Sequence, residues 1–367
     1  MLQHLRHLLH GLPFEQPVPE HLAAEFDAWP ARRRRQLLRK VAQRELAIAL
    51  SGQGRLRCTR SAPPRVRRML WWYTWTTLGD AVMDLSPRFL LPAGIEVELL
   101  ICPALAPLFE QDGRFTQVHR DWTTVDRNFD FLLLNHFSTD GLRDKRRHLP
   151  QVPFAAVLGH MAGEMFSRVH VADARVRQLF HLPQGEPVPP RLDLAPQPPG
   201  DAAQWHIAVA LGARDERRRW RGWDDALRAV LRLWPAAARP PRFHLIGTAN
   251  ARPDREGLSA EVLAHSDDHL EHHTLLQMAQ CVAGCDAFVG TDGGPMHVAV
   301  ATGRPGVAMF SVVPPEYRLL PGSPVLPLRP DAQGRPPAPE ALAQALVDRV
   351  HGPRADRGLG HAHDLHA

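Results

Sequence analysis

GTDGGPMHVAVATGRP, residues 290–305, is the stretch on which the reading of the chain turns. The apolar run Ala287-Phe288-Val289 precedes it and Gly306–Phe310 follows, so it reads as strand, glycine turn, helix (Pro295–Thr302), strand. Pro295 suits a first helical turn, where its missing N–H is not needed. Gly293 and Gly294 let the backbone approach a ligand closely, and the free N–H groups of a helix N-terminus favour an anion such as a diphosphate. Asp292 is delivered into the turn, and His297 falls in the first helical turn, in reach of the same anion. As a bare pattern, the segment also describes an ordinary turn with a helix cap.

Outward from this unit the same alternation recurs. Strands are expected at His206–Leu211 and Arg242–Gly247, with helices at Trp223–Trp234, near Gly257–Ala264, at Thr274–Gly284 and at Pro339–Val350. Upstream, Met69–Trp75, Ile95–Ile101, Phe129–Leu134 and Phe154–Leu158 are apolar runs without period-2 alternation, the mark of parallel strands covered on both faces. The fold class is therefore α/β, two Rossmann-like domains in tandem. Residues 181–205 are dense in proline and lack a core pattern, which marks a stiff linker. The expected division is a basic helical extension over 1–66, an N-terminal domain over 67–185, a linker over 186–205, a C-terminal domain over 206–352 and a His-rich tail over 353–367.

The net charge of +5 is unevenly placed: residues 1–70 hold 14 Lys and Arg against 5 Asp and Glu, and the remainder is mildly acidic. A nucleic-acid groove over the body is thereby excluded. Ala31–Leu50 reads as one helix, started by Asp27-Ala28-Trp29-Pro30 and stopped by Ser51-Gly52-Gln53-Gly54, with Leu38, Ala42, Leu46 and Leu50 as its apolar stripe. Arg32–Arg35, Arg39 and Lys40 on that helix form either a solvated face or a contact with an anionic membrane surface through residues 31–40. No apolar run is long enough to span a bilayer and no signal peptide is apparent, so a cytoplasmic protein is expected, peripheral on the inner face of the membrane. The four cysteines are too few for a disulfide framework and form no C-x-x-C pair; Cys281 and Cys285 read as buried free thiols, and no metal ligand set is expected.

Two further turns carry chemistry. Gly212 at a strand end is followed by Arg214, Arg217, Arg218 and Arg219, guanidinium groups able to clamp phosphates in bidentate fashion. Leu78-Gly79-Asp80 places a carboxylate in the first strand-to-helix turn of the N-terminal domain, as a helix cap or a general base.

Together these segments resemble glycosyltransferase family 9, the ADP-heptose:lipopolysaccharide heptosyltransferases and their relatives. Asp292–Pro305 resembles the family's D-[TSG]-G-x-x-H-x-A-x-A-x-G-x-P signature. Gly212 with Arg218-Arg219-Trp220 is similar to its G-x5-K-[RH]-W element, and Leu78–Val82 with Pro87 to its G-D-x-[ILV]-x4-P turn. The resemblance implies a GT-B fold, with an acceptor domain and a nucleotide-sugar domain facing a cleft. It also implies metal-independent inverting transfer from a nucleotide-sugar, by default ADP-heptose, to a lipopolysaccharide-core or other glycan or glycolipid acceptor, with no cofactor. By position, Asp80 becomes the general base, and Gly212, Arg214, Arg218, Asp292, Gly293, Gly294 and His297 the donor-binding residues. Where the family has Ser or Thr after the glycine, Lys at the phosphate and Pro after the tryptophan, this chain has Ala213, Arg218 and Arg221. A non-catalytic GT-B-like scaffold and another GT-B enzyme, such as a nucleotide-sugar epimerase, are the alternative readings.

Overall fold

Strands that are apolar on both faces must be covered on both faces, and the structure meets that demand twice. The computed structural model describes residues 29–161, 166–197 and 200–352. The expectations for residues 1–28 and for the tail at 353–367 lie outside the described residues. The chain divides into two units, residues 1–194 and 195–367.

The first unit begins with α1 (Ala31–Leu50) and continues with β1 (Arg68–Trp72), α2 (Leu78–Asp84), β2 (Glu96–Leu100), β3 (Gln117–His119), β4 (Phe131–Leu134), α3 (Thr139–His148), β5 (Phe154–Ala156) and α4 (Arg168–Leu179). Its five strands are all parallel, in the order β3-β2-β1-β4-β5. The second unit holds β6 (Trp205–Ala210), α5 (Trp223–Leu233), β7 (Pro241–Ile246), α6 (Arg252–Glu256), α7 (Ala260–Ala264), β8 (Ser266–Asp268), α8 (Leu275–Gly284), β9 (Ala287–Thr291), α9 (Gly294–Ala301), β10 (Gly306–Met309), β11 (Val325–Leu328) and α10 (Pro339–His351). Its six parallel strands run β11-β10-β9-β6-β7-β8. One face of this sheet buries Ile207, Val209, Phe243 and Leu245 against Trp223, Leu227 and Val230 of α5 and Leu342 and Leu346 of α10. Both sheets are Rossmann-like, as expected.

In each unit the chain builds outward in one direction, then returns to the middle and builds the other way. The strand order thus reverses between β1 and β4 and between β6 and β9. The crevice outside the carboxyl ends of two such strands is where open α/β sheets bind ligands.

Helix α1 has the expected bounds, with Gly52 at φ +70 closing it. Its buried face is a correction. Leu37, Val41 and Ile48 are buried, Ile48 among Phe137, Leu142 and Phe154, while Ala42, Leu46 and Leu50 of the expected stripe are exposed. Each residue advances a helix by about 100°, so every i+4 step drifts by about 40°. Leu38 and Leu50, three such steps apart, do not share a face. The alternation of four and three in the set 37, 41, 48 cancels the drift. Polar contacts fix the same face: Glu45 pairs with Arg57 at 2.7 Å and with His160 at 2.6 Å, and Arg44 donates to the His160 carbonyl. Lys145, one of only two lysines, is buried and donates to Gln53 Oε1.

Candidate active site

In the second unit the reversal point is lined by the ends of β6 and β9. The Asp292 N–H donates to the Met309 carbonyl at 2.9 Å, which continues the sheet one residue past β9 and pins the turn. Gly293 then caps α9, with Pro295 in the first turn. A Cβ on Gly293 would meet nothing closer than 3.8 Å, so the fold itself does not demand glycine there. Its absent side chain leaves the N-terminus of α9 open to approach.

Asp292 is only 4% exposed and cationic side chains surround it. Arg218 Nη1 lies 3.3 Å from Asp292 Oδ2 and donates to the Asp292 carbonyl at 3.3 Å. Arg318 Nε and His297 Nε2 each lie 4.0 Å from Oδ1. Arg218 arrives from a short 3-10 turn, Glu216–Arg218, that opens with the Asp215 carboxylate accepting the Arg217 N–H. Gly212 enables that path: it sits at φ +74, and a Cβ would come within 2.8 Å of Ala251 Cα, so glycine alone fits. Thr291 Oγ1 donates to the Gly212 carbonyl, joining the two turns.

Of the expected donor-site residues, then, Gly212, Arg218, Asp292, Gly293, Gly294 and His297 come together. Arg214 is exposed and makes no ion pair or hydrogen bond with the described residues. Arg217 pairs with Asp215 and Arg219 with the buried Asp254, so one arginine of the loop, not four, turns toward Asp292. The residue that sequence reading missed is Arg318. It is buried, follows the 3-10 turn Pro315–Tyr317, and reaches Asp292 from a different connection. The run Pro314-Pro315-Glu316 gives a turn signal there but no hint of where the arginine points.

In the first unit the reversal point is flanked by Thr74-Trp75 after β1 and Asn135-His136 after β4. Thr74 Oγ1 donates to Asn135 Oδ1 at 2.7 Å and Trp75 Nε1 to His136 Nε2 at 3.1 Å. Burial, with Arg44 and Arg168 nearby, lowers the His136 pKa to about 3, so this imidazole is neutral. Asp80 lies in the first turn of α2, where Thr77 Oγ1 donates to its Oδ2 at 2.7 Å and Arg168 Nε lies 3.4 Å from its Oδ1. Arg168 is buried and stacks over Trp75 at 4.3 Å; against the cost of burial, Asp84 and Asp80 keep it charged. Asp84, fully buried, takes the shorter ion pair with Arg168. Asp80 therefore remains a positioned carboxylate with 29% of its side chain exposed, suited to accept a proton from an incoming hydroxyl.

Residues 254–322, which include the whole Asp292 turn and Arg318, match the family model of glycosyltransferase family 9 (heptosyltransferase). Over that segment the chain is similar to glycosyltransferase family 9. No curated protein matches it in sequence. Solved structures of family 9 enzymes share its fold. The family 9 glycosyl transferase of Veillonella parvula DSM 2008 is 13% identical, with a TM-score of 0.57 over 72% of this chain and 86% of its own. The ADP-heptose lps heptosyltransferase II of E. coli is 15% identical, with a TM-score of 0.60 over 77% of this chain and 98% of its own. The E. coli heptosyltransferase WaaC with ADP is 15% identical, with a TM-score of 0.52 over 75% of this chain and 98% of its own. The fold is thus of GT-B type, two Rossmann-like parallel-sheet units.

Proposed function

We propose that the chain is a family 9 glycosyltransferase, an inverting enzyme that moves a sugar from a nucleoside-diphosphate donor, ADP-heptose by default, to a hydroxyl of a lipopolysaccharide-core or other surface glycan. The observation that carries the reading is the buried Asp292 between Arg218 and Arg318 at the N-terminus of α9. Two guanidinium groups gather at this carboxylate beside a helix N-terminus, whose free N–H groups and dipole favour an anion. That is an electrostatic environment for a leaving diphosphate, held by arginine and helix dipole.

In the proposed reaction, Asp80 takes the proton of the acceptor hydroxyl as its oxygen attacks the anomeric carbon. The bond to the nucleoside diphosphate breaks with inversion, and Arg218, Arg318 and α9 stabilise the charge on the departing phosphate. Gly293 and Gly294 give the diphosphate access to the backbone, and His297 is positioned beside it. Arg218 in place of lysine supports the same role with a planar, bidentate donor. The test is Asp80→Asn, which keeps the Thr77 contact but cannot accept the proton. Transfer falls by about 10²-fold or more while ADP affinity stays at the wild-type value. Equal loss of transfer and ADP binding would remove Asp80 from the base role.

We further propose that the chain works at the cytoplasmic membrane surface. No helix among the described residues is long and apolar enough to cross a membrane. The support lies on α1, whose Arg32, Arg35, Arg39 and Lys40 are exposed, as are Leu46 and Leu50.

A further inference from the structure

Three histidines line up on the sheet of the second unit, on the face away from the α5 and α10 core. Phe243 and Leu245 point into that core, so His244 between them points out of the opposite face, where the side chain of His206 on β6 reaches it. His269 follows the end of β8, and α8 brings Cys281 to the same place. His244, His269 and Cys281 each offer a ligand atom, all within 4.8 Å of one another. His244 and Cys281 are buried, and His269 is partly exposed.

A chain of ring nitrogens lets His244 keep its proton on Nε2 and offer Nδ1 as a ligand. His206 Nε2 lies 2.8 Å from the Asp201 carbonyl, which can only accept, so Nε2 carries the proton. His206 Nδ1 lies 2.9 Å from His244 Nε2, so in the tautomer where His244 carries its proton on Nε2 it donates to His206 Nδ1. In that tautomer His244 carries its lone pair on Nδ1, which faces His269 Nε2 at 3.1 Å. A backbone carbonyl thus orients His206, which orients His244, whose Nδ1 faces the cluster. Such a relay behind a ligating imidazole is the usual outer support of a protein-bound metal. The spacing of the two nitrogens suits neighbouring ligands at about 2.0–2.1 Å from one tetrahedral ion.

We propose that His244 Nδ1, His269 Nε2 and Cys281 Sγ form a binding site for a zinc-class divalent transition-metal ion that ties β7, the end of β8 and α8 together. Two imidazoles and a thiolate select a borderline ion over Mg²⁺ or Ca²⁺, which take oxygen ligands. Asp267 Oδ2, 3.8 Å from His244 Nδ1 and held by Arg242, stands beside the fourth position. On binding, the Cys281 thiol loses its proton to solvent and the His269 proton moves to Nδ1, so one proton is released per ion. The site is structural and separate from the sugar-transfer chemistry.

The experiment is Co²⁺ titration of the chelator-stripped full chain, followed by ultraviolet and visible absorption. One equivalent is expected to give a thiolate-to-cobalt charge-transfer band with the intense visible bands of tetrahedral coordination, and Zn²⁺ is expected to displace it. The tail at 353–367 carries histidines but no cysteine, so metal held there gives no thiolate band. Cys281→Ser abolishes the band and His269→Ala weakens Co²⁺ binding at least tenfold, whereas Cys58→Ser and Cys102→Ser leave both unchanged. His269 is partly exposed, so its alanine variant keeps the test valid should Cys281→Ser fail to fold. Absence of a thiolate band in the wild type, or its persistence at full strength in His269→Ala, would overturn the site.

Discussion

Asp292 and its two arginines set the charge of the proposed donor site. Arg218 is supplied by the loop after β6 and Arg318 by the connection after β10, so the carboxylate serves as the common anchor that aims both. Removing Arg318 takes away one of the cationic groups that a diphosphate would meet there. Charge-assisted hydrogen bonds are each worth about 1.5–3 kcal/mol. Arg318→Ala is therefore expected to weaken ADP roughly 10- to 100-fold by calorimetric titration, and adenosine hardly at all. Equal weakening of both ligands would place Arg318 in the fold and not at the phosphates. At this scale Gly212, Arg218 and Asp292 were legible because short chain segments dictate them: a glycine at φ +74, a turn, a helix start. Arg318 was not, because nothing local encodes a contact made across 26 positions. The histidine relay was hidden for the same reason, with its members drawn from four segments.

Among the elements, α1 shows how a correct helix can carry a wrong face. Its bounds are legible from Pro30 and Gly52, but an i+4 repeat winds around the helix and does not mark the face that docks. The face that docks does so through Leu37, Val41 and Ile48 and the Glu45–Arg57–His160 group. Deleting the segment would strip that core, so charge reversal is the cleaner probe of the opposite side. Vesicles rich in anionic lipid are expected to bind the protein at low salt and release it as salt rises, each basic group contributing about 1 kcal/mol. The triple variant Arg35→Glu, Arg39→Glu, Lys40→Glu loses that binding in a sedimentation assay. Wild-type binding by the variant would contradict a membrane role for α1. The short strands β3, β8 and β11 were missed altogether; Gln117–His119 and Ser266–Asp268 are too polar and brief to carry a strand pattern, and they form by pairing on a sheet already built.

The whole molecule is legible as two parallel sheets because the central strands are apolar throughout, which no solvent-facing sheet permits. Its global stability carries a pH dependence traceable to buried groups. His136 titrates near pH 6.5 when unfolded and at about 3 when folded, so below pH 6.5 the unfolded chain binds the extra proton and stability falls with pH. At pH 5 the loss from this group amounts to about 2 kcal/mol. Glu45 acts lower on the scale: although burial opposes it, hydrogen bonding to His160 and the charge of Arg57 hold its pKa at about 2. Its contribution, full above 4.5, is lost as pH falls from there toward 2. Denaturant titrations at pH 7 and pH 5 should show the first loss, and His136→Gln should reduce it. An unchanged pH slope in that variant would assign the effect elsewhere.

A nucleoside-diphosphate sugar is proposed to sit in the second unit, at Asp292, Arg218 and Arg318. Thermal unfolding of the full chain against ADP, GDP, UDP, CDP, dTDP and ADP-heptose tests it most directly. A ligand at 100 times its dissociation constant stabilises the folded state by about 2.7 kcal/mol, enough to move the melting temperature clearly. A shift with ADP and ADP-heptose, absent with the other diphosphates and lost in Arg218→Ala, is the expected result. No shift with any member of the panel would contradict the donor site and leave the fold without its proposed chemistry.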